Sequence, residues 1–343
     1  MNKKTEPAHG ACELIEDLVV EHAAYVKGWR RLEQCFRYAM RGNEPICMAV
    51  VGESGTGKSR LLEEFEREHP AFRNADGLEM PVLRIKTPSK PTVKGLVEEM
   101  LNKLEDPVSK RTSEQRMTAR LRKLVEECNT KVVCVDEFQH FRDKVSNKVA
   151  HYVADWLKVL ADESNVALVV AGLPICKSVI HQNEQLARRF RGAVVMPRFD
   201  WNKEDDREEF LGILLEFDKR IRQGFDLPEL ANADMGFRLY CASGGLLGYV
   251  VNILQQAVLD ADFDDRREIQ LSHFEEALQA GVWEGSKLET AISPFSPKFC
   301  AKAVPELLAK VAMVGLPLPE PPTPLRRRAA KTESNVNPQL AAS

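Results

Sequence analysis

The sequence predicts an α/β fold in which a parallel sheet is flanked by helices, followed by a smaller helical domain. Three observations carry this prediction. Short apolar runs alternate with longer amphipathic stretches between residues 46 and 196, which is typical of parallel strands buried on both faces. A glycine-rich loop separates the first apolar run from a helix-like stretch. From residue 202 to 281, helical periodicity continues without any strand-like run.

The elements follow in chain order from this periodicity. Residues 11–44 carry apolar side chains at helical spacing up to a break at Gly42 and Asn43, and predict a helical lead-in. The predicted strands cover residues 46–51, 80–85, 132–135, 166–171 and 193–196. The predicted helices of the same region cover residues 60–68, 92–104, 113–128 and 147–164.

Four parts of the chain are predicted. Residues 1–44 form the lead-in, 45–200 the α/β core, 201–285 a helical lid, and 286–343 a proline-rich extension that ends in a mobile tail. Eight prolines between residues 294 and 324 and few apolar clusters leave the tail little surface to bury. Arg326, Arg327 and Arg328 allow two interpretations, an inert tail or a short partner-docking segment with a basic anchor.

Composition bounds the classes of protein that the chain can belong to. With 343 residues, of which 44% are hydrophobic, it can bury a sizeable core. A net charge of −3 excludes attraction of the whole molecule to DNA or anionic membranes, so any nucleic-acid contact must come from a local patch.

Cysteine usage and the ends of the chain predict a cytoplasmic protein. Eight cysteines are scattered without a C-x-x-C pair, which favours free thiols in a reducing compartment. The N-terminus lacks the apolar core of a signal peptide, and no apolar segment is long enough to span a bilayer. We therefore expect no membrane partner.

A complete phosphate-binding loop follows the first apolar run. Its residues are Gly52, Glu53, Ser54, Gly55, Thr56, Gly57, Lys58 and Ser59. Glycines let consecutive backbone N–H groups turn inward around a triphosphate, and the following helix directs its positive N-terminus at the same anion. Lys58 would reach the β- and γ-phosphates, and the Ser59 hydroxyl would hold Mg²⁺.

Two adjacent acids follow the apolar run 132–135. In an NTPase with a phosphate loop, an apolar strand delivers an acid to the Mg²⁺ beside the loop, and Asp136 fits that role. Glu137 would then stand next to the γ-phosphate, where a carboxylate can orient and deprotonate the attacking water. The pair predicts hydrolysis as well as binding.

Hydrolysis also requires positive charge on the γ-phosphate in the transition state, which an arginine from a neighbouring subunit can supply. Arg188, Arg189 and Arg191 precede the last predicted strand. From the residues alone, each is as well explained as a surface arginine.

The order of these motifs resembles that of the AAA+ ATPases. A phosphate loop, a strand ending in Asp-Glu, a Leu-x-Arg-Arg-Phe segment and a helical lid follow one another. The resemblance implies ATP hydrolysis at subunit interfaces. It implies that Arg189 acts in trans, on the site of a neighbouring subunit, with Arg188 as the second candidate. The chain departs from the AAA+ pattern at Gly172, where many members place a polar sensor residue, and in residues 243–249, which lack a sensor arginine. Both departures imply weak nucleotide sensing and slow turnover. We expect the ATPase to be stimulated by DNA or partners.

Less specific sequence matches narrow the resemblance to one group of AAA+ proteins, over about residues 25–265. The segments 135–141, 171–174 and 199–201 are similar to the TniB/TnsC-type regulators of transposons, which are akin to the Mu phage B protein. This implies an ATP-dependent homo-oligomer, a helical filament or ring on double-stranded DNA, that selects a target with a recognition protein and hands it to a transposase. A helicase-loader or replication-initiator ATPase and a DNA-coating scaffold with incidental hydrolysis remain alternatives.

A local basic excess indicates where DNA would bind. Between residues 84 and 148, fifteen Lys and Arg face ten Asp and Glu. Such a patch can contact phosphates through counterion release. The candidates lie in or beside loops: Lys86, Lys90, Lys94, Arg142, Lys144 and Lys148. No aromatic residues are interleaved with them, which favours contacts to the backbone over base readout.

Overall fold

The computed structural model describes residues 13–89, 91–106, 111–143, 146–281 and 292–316. Lys90 and Lys144, two of the predicted DNA contacts, lie outside the described residues. So does nearly all of the predicted mobile tail.

The core is a five-stranded sheet whose paired strands are all parallel, in the order β4-β5-β6-β1-β7. A separate antiparallel hairpin, β2 with β3, was not anticipated from the sequence. The strands are β1 Cys47–Val51, β2 Phe72–Asn74, β3 Gly77–Glu79, β4 Val82–Lys86, β5 Val132–Asp136, β6 Ala167–Gly172 and β7 Phe190–Val195.

The helices of the described residues cover both sheet faces and build the lid. They are α1 Glu13–Glu16, α2 Ala23–Met40, α3 Lys58–Glu68, α4 Val93–Lys103, α5 Glu114–Glu127, α6 His140–Asp143, α7 Asn147–Ser164, α8 Lys177–Ile180, α9 Glu184–Arg189, α10 Glu204–Ile221, α11 Ala233–Ser243, α12 Leu247–Phe263, α13 Leu271–Gly281 and α14 Pro305–Val311. A 3₁₀ turn, Pro174–Cys176, precedes α8.

Strand β1 shows why the three central strands of the sheet are buried. All five of its residues are buried, because successive side chains point to opposite faces and both faces are covered. Cys47, Ala49 and Val51 join the hydrophobic cluster built with α4, α5 and α7. Met48 and Val50 join the cluster on the other face, built with α2 and α3.

The predicted α/β fold with a parallel sheet is confirmed, and the five predicted strands lie within three residues of the observed ones. The last strand starts earlier than expected, at Phe190. The helical lead-in expected over residues 11–44 is not helical throughout. Instead, α1 and α2 are separated by a non-helical segment, 17–22, that forms one wall of a cavity.

The helices α10 to α13 surround a hydrophobic cluster of their own, which includes Phe210, Phe237 and Phe274. Ile15 of α1 and Val311 of α14 belong to the same cluster, so both chain ends of the described region pack on the lid. In the described residues no single helix is long and apolar enough to cross a membrane. Only α11 and α12 taken together have the length and composition, and they are bent by 110°.

Candidate active site

A cavity of 720 Å³ lies between the phosphate loop, the segment after α1 and the lid. Its polar end is lined by Glu137, Gln139 and five residues of the loop: Ser54, Gly55, Gly57, Lys58 and Ser59. The opposite end is mostly apolar, with Leu18, Val19 and residues of α10 and α12. The first end suits an anion, and the second suits an apolar part of a ligand.

The phosphate loop needs its glycines for space and for backbone conformation. A Cβ on Gly52 would lie 2.2 Å from the carbonyl oxygen of Met196. Gly55 and Gly57 have φ angles of +79° and +89°, which L side chains adopt at a cost. Helix α3 starts directly after Gly57, so the loop delivers its backbone N–H groups to a helix N-terminus.

Lys58 is buried at the first position of α3 and lines the polar end of the cavity. Its Nζ donates a hydrogen bond to the carbonyl oxygen of Glu53 at 2.6 Å, and the Thr56 hydroxyl donates to the same oxygen at 2.9 Å. Burial lowers the pKa of Lys58, whereas the nearby carboxylates of Asp136 and Glu137 oppose that shift. A polyanion beside Lys58 would favour its charged form further.

Asp136 is 1% exposed at the end of β5. One carboxylate oxygen, Oδ1, accepts a hydrogen bond from the Glu137 N–H at 2.8 Å. The other, Oδ2, is buried without a hydrogen-bond partner among the described residues. A buried carboxylate oxygen with free lone pairs beside a phosphate loop suits Mg²⁺, which prefers oxygen ligands, and Ser59 lines the same cavity. The residues present therefore fit the predicted metal.

Glu137 and Gln139 stand together at the polar end. Glu137 has a φ of +55°, in the left-handed region that a non-glycine residue rarely adopts. The Gln139 side-chain amide donates to the Glu137 carboxylate. No role is predicted for Gln139 from the sequence, because the motif does not show where its side chain points.

The apolar end carries one unusual polar group. His22 is 6% exposed, lies edge-on to Phe199, and its Nδ1 has no hydrogen-bond partner among the described residues. Burial lowers the pKa of His22, which favours the neutral ring. Tyr25 lines the cavity beside it. A neutral imidazole nitrogen here can exchange a hydrogen bond with a ligand.

Arg198 is a second residue that the sequence interpretation missed. Its guanidinium forms an ion pair with Glu53 of the phosphate loop. It also donates to the carbonyl oxygens of Gly244 in the lid at 3.3 Å, and of Ala312 and Val314 after α14 at 3.1 Å each. One side chain thus connects the loop to the lid and to the C-terminal segment.

Arg189, the residue predicted to act in trans, is held inside its own chain. It is the last residue of α9 and forms ion pairs with Asp162 at 2.6 Å and Glu44 at 3.0 Å. It is not among the residues that line its own cavity. Arg188, the runner-up, is exposed and pairs with Glu184 in the same helix. The role of either arginine stays a prediction.

The predicted DNA contacts lie beside the candidate acids. Lys86 is exposed at the end of β4 and is in register with Asp136 on β5. Arg142 lies in α6, directly after the acids, and Lys148 is exposed in the first turn of α7. Lys94 pairs with Glu98 within α4. These four basic residues therefore lie either at the sheet edge where β4 and β5 end or on the helices that follow these two strands.

Most basic side chains on the helices of this region are already neutralised. Arg120 pairs with Asp106, and Arg122 pairs with Glu163. Lys123 pairs with Glu127 one turn along α5. The basic residues that follow the strands are therefore a distinct part of the local basic excess.

The parallel sheet with this strand order, the phosphate loop after β1, the acids after β5 and the helical lid define an AAA+ P-loop protein. A family model described as "Bacterial TniB protein" matches residues 12–201, more than half of the chain. The chain therefore belongs to the TniB family, as the motifs suggested. No curated protein sequence matches it at a significant level.

Solved structures show the same fold at low sequence identity. The Aeropyrum pernix ORC2 protein in its ADP form is 12% identical, with a TM-score of 0.57 over 78% of this chain and 72% of that one. The A. pernix ORC1 protein in complex with DNA is 16% identical, with a TM-score of 0.55 over 78% and 68%. At these identities the likeness concerns the fold alone.

Proposed function

We propose that this chain is an ATP-dependent DNA-binding ATPase that assembles on double-stranded DNA and passes a target site to a transposase. Membership of the TniB family carries the proposal, together with a phosphate loop and Glu137 on one cavity and the buried Asp136 next to Glu137. A target-recognition protein and the transposase are its expected partners. We also propose that the protein is cytoplasmic and that the chain divides into the four parts predicted from the sequence.

The chemistry follows from the residues at the polar end of the cavity. Lys58 and the loop N–H groups bind the ATP phosphates, while Ser59 and Asp136 hold Mg²⁺. When bound, Mg²⁺ neutralises charge on the β- and γ-phosphate oxygens. Glu137 accepts a proton from the attacking water as the oxygen–phosphorus bond forms, and ADP leaves with the electrons of the broken bond.

A neighbouring subunit would complete the site. Arg189 does not line its own cavity, so it would act on the cavity of the next subunit in an oligomer. Its ion pairs with Asp162 and Glu44 would then be exchanged for contacts with the γ-phosphate. Such an exchange would make hydrolysis depend on assembly.

DNA would lie along the edge of the sheet where β4 and β5 end. Lys86 and Lys148 are exposed and form no ion pair within the described residues, so their charge is available to phosphates. Because Lys86 is in register with Asp136, DNA and nucleotide would meet at neighbouring positions of the sheet. This adjacency supports coupling between DNA binding and nucleotide state.

Salt-dependent DNA binding tests the proposal. We expect a fluorescent duplex to bind with a non-hydrolysable ATP analogue and far more weakly with ADP. Replacing Lys86 and Lys148 with alanine should weaken binding equally for unrelated sequences, and should reduce the slope of log K against log salt by about 0.9 per lost contact. Lys219→Ala removes an exposed lid lysine paired with Glu216 and serves as the control. Equal binding in every nucleotide state would contradict the proposal.

A further inference from the structure

The end of β6 offers no side chain to the cavity, because its last residue is Gly172. The space beside Gly172 is filled by the side chain of Gln139, which follows the neighbouring strand β5. A Cβ on Gly172 would lie 2.3 Å from Oε1 of Gln139, whose side chain is buried. A side chain at position 172 and the observed position of Gln139 therefore exclude one another.

The contacts of Gln139 fix the orientation of its amide. Oε1 accepts a hydrogen bond from the Leu173 N–H at 3.2 Å. A backbone N–H can only donate, so the amide oxygen must face Leu173 and the NH₂ group must face the other way. There it donates to the Glu137 carboxylate. The carboxylate thus receives a donor of defined position.

Glu137 is held at its backbone as well. Its N–H donates to Asp136, and its left-handed φ costs on the order of 1 kcal/mol, which the surroundings must offset. Glu137 and Gln139 both line the polar end of the cavity with Lys58. A costly backbone conformation and an oriented amide act together on one carboxylate at the phosphate end.

We propose that Gln139 is a positioning residue for Glu137, and that its amide supplies the polar group that β6 lacks at Gly172. The inference rests on the hydrolysis proposed above. An amide does not titrate in the working range, so Gln139 neither accepts nor donates the transferred proton. That proton passes from the attacking water to the Glu137 carboxylate, and Gln139 keeps the carboxylate pointed at the water.

A positioning role predicts a loss of turnover without a loss of binding. Gln139→Ala should lower kcat for ATP by between about 10- and 100-fold, because a carboxylate displaced by about 1 Å loses this much. The Kd for a fluorescent ATP analogue should stay within a factor of two of that of the unmodified protein. Gln279→Ala is the matched control, because Gln279 also donates to a glutamate, Glu275, but is exposed on α13.

Exchanging the polar group between the two positions gives a second test. Gly172→Ser should lower the Tm of the unmodified protein, because its side chain meets Gln139. In the Gln139→Ala background that clash is gone, and only contacts of 3.2 Å to two backbone nitrogens remain. The double variant should then regain part of the lost kcat. Gly172→Ala in the same background fills the space without a polar group and should regain none.

The outcomes separate the inference from the function on which it rests. Absence of ATP hydrolysis by the unmodified protein with DNA would refute the proposed function, and the inference with it. Hydrolysis that Glu137→Gln abolishes but Gln139→Ala leaves unchanged would overturn the inference alone. So would a kcat that rises in Gln139→Ala, since Gln139 would then restrain Glu137 rather than position it.

Discussion

Lys58 and Glu137 line the polar end of one cavity, and Asp136 is buried next to Glu137. They come from two strands that are not neighbours in the sheet. Lys58 follows β1, whereas the acids follow β5, and β6 lies between them. Parallel strands bring their carboxyl ends to one edge, which is why motifs far apart in the chain can share one ligand. Burial at this edge strengthens the interaction of these charges with a polyphosphate.

Replacing Glu137 with glutamine tests the proposed base directly. The side chain keeps its size but no longer accepts a proton, so we expect kcat for ATP to fall by about 100-fold or more, with nucleotide affinity retained. Phosphate release and equilibrium nucleotide binding measure the two effects. Glu208→Gln, at an exposed position of α10, should change neither. Unchanged phosphate release in Glu137→Gln would remove Glu137 from the mechanism.

Single residues differ in how far the sequence predicts them. The phosphate loop and the acids carry recognisable spacing, so their shared location could be predicted before the fold was known. Gln139 could not, because its position depends on the missing side chain of Gly172 in another strand. Arg198 could not either, because its partners, the Glu53 carboxylate and backbone carbonyl oxygens, lie more than forty residues away in the chain.

Among the elements of the lid, α12 contacts the phosphate loop directly. The Gly248 N–H in its first turn donates to the carbonyl oxygen of Gly55 at 2.8 Å. A Cβ on Gly248 would lie 2.9 Å from the Cα of Gly55. The lid therefore rests on the loop backbone to backbone, and a shift of either element moves the other.

Gly248→Ala should push the lid off the loop and weaken nucleotide binding. We expect Kd for ATP to rise by about tenfold, which corresponds to about 1.4 kcal/mol. Gly212→Ala is the matched control. It lies within α10 with no atom near its added Cβ, so it should raise the free energy of unfolding by about 0.5 to 1 kcal/mol and leave Kd unchanged. Equal nucleotide affinity in both variants would contradict the coupling.

The elements also show where periodicity misleads. Helical spacing continues through residues 11–44, yet segment 17–22 is not helical because Leu18, Val19 and Val20 line the cavity. Helix α7 was predicted with its observed ends, because one face of it packs on the sheet and nothing interrupts that face. Sequence periodicity predicts a helix well when packing against one surface decides its conformation. It fails where the same residues also line a cavity.

At the scale of the whole molecule, Arg189 does not line the candidate active site of its own chain. Arg189 is packed against α7 through Asp162, away from the residues that line the cavity. If Arg189 acts on ATP as proposed, it must act on the cavity of a second copy of the chain. The sequence alone could not choose among Arg188, Arg189 and Arg191. In the structure, the Arg188 side chain pairs within α9, whereas the Arg189 side chain pairs with Asp162 of α7.

Mixing inactive variants tests the contribution in trans. Subunits with Arg189→Ala keep their own Glu137, and subunits with Glu137→Gln keep Arg189. Each alone should hydrolyse little ATP, whereas a mixture creates some complete sites and should regain activity. Arg188→Ala should retain the rate of the unmodified protein. A mixture no more active than its components would mean that Arg189 does not act on a neighbour.

Imaging of the protein with double-stranded DNA tests the central claim most directly, with ATP, a non-hydrolysable analogue, ADP and no nucleotide compared side by side. The account predicts filaments or stacked rings only when DNA and a triphosphate are both present. The contradictory result is a protein that stays monomeric and holds no DNA in any nucleotide state. In that case, a loader or signalling NTPase would explain the same site better.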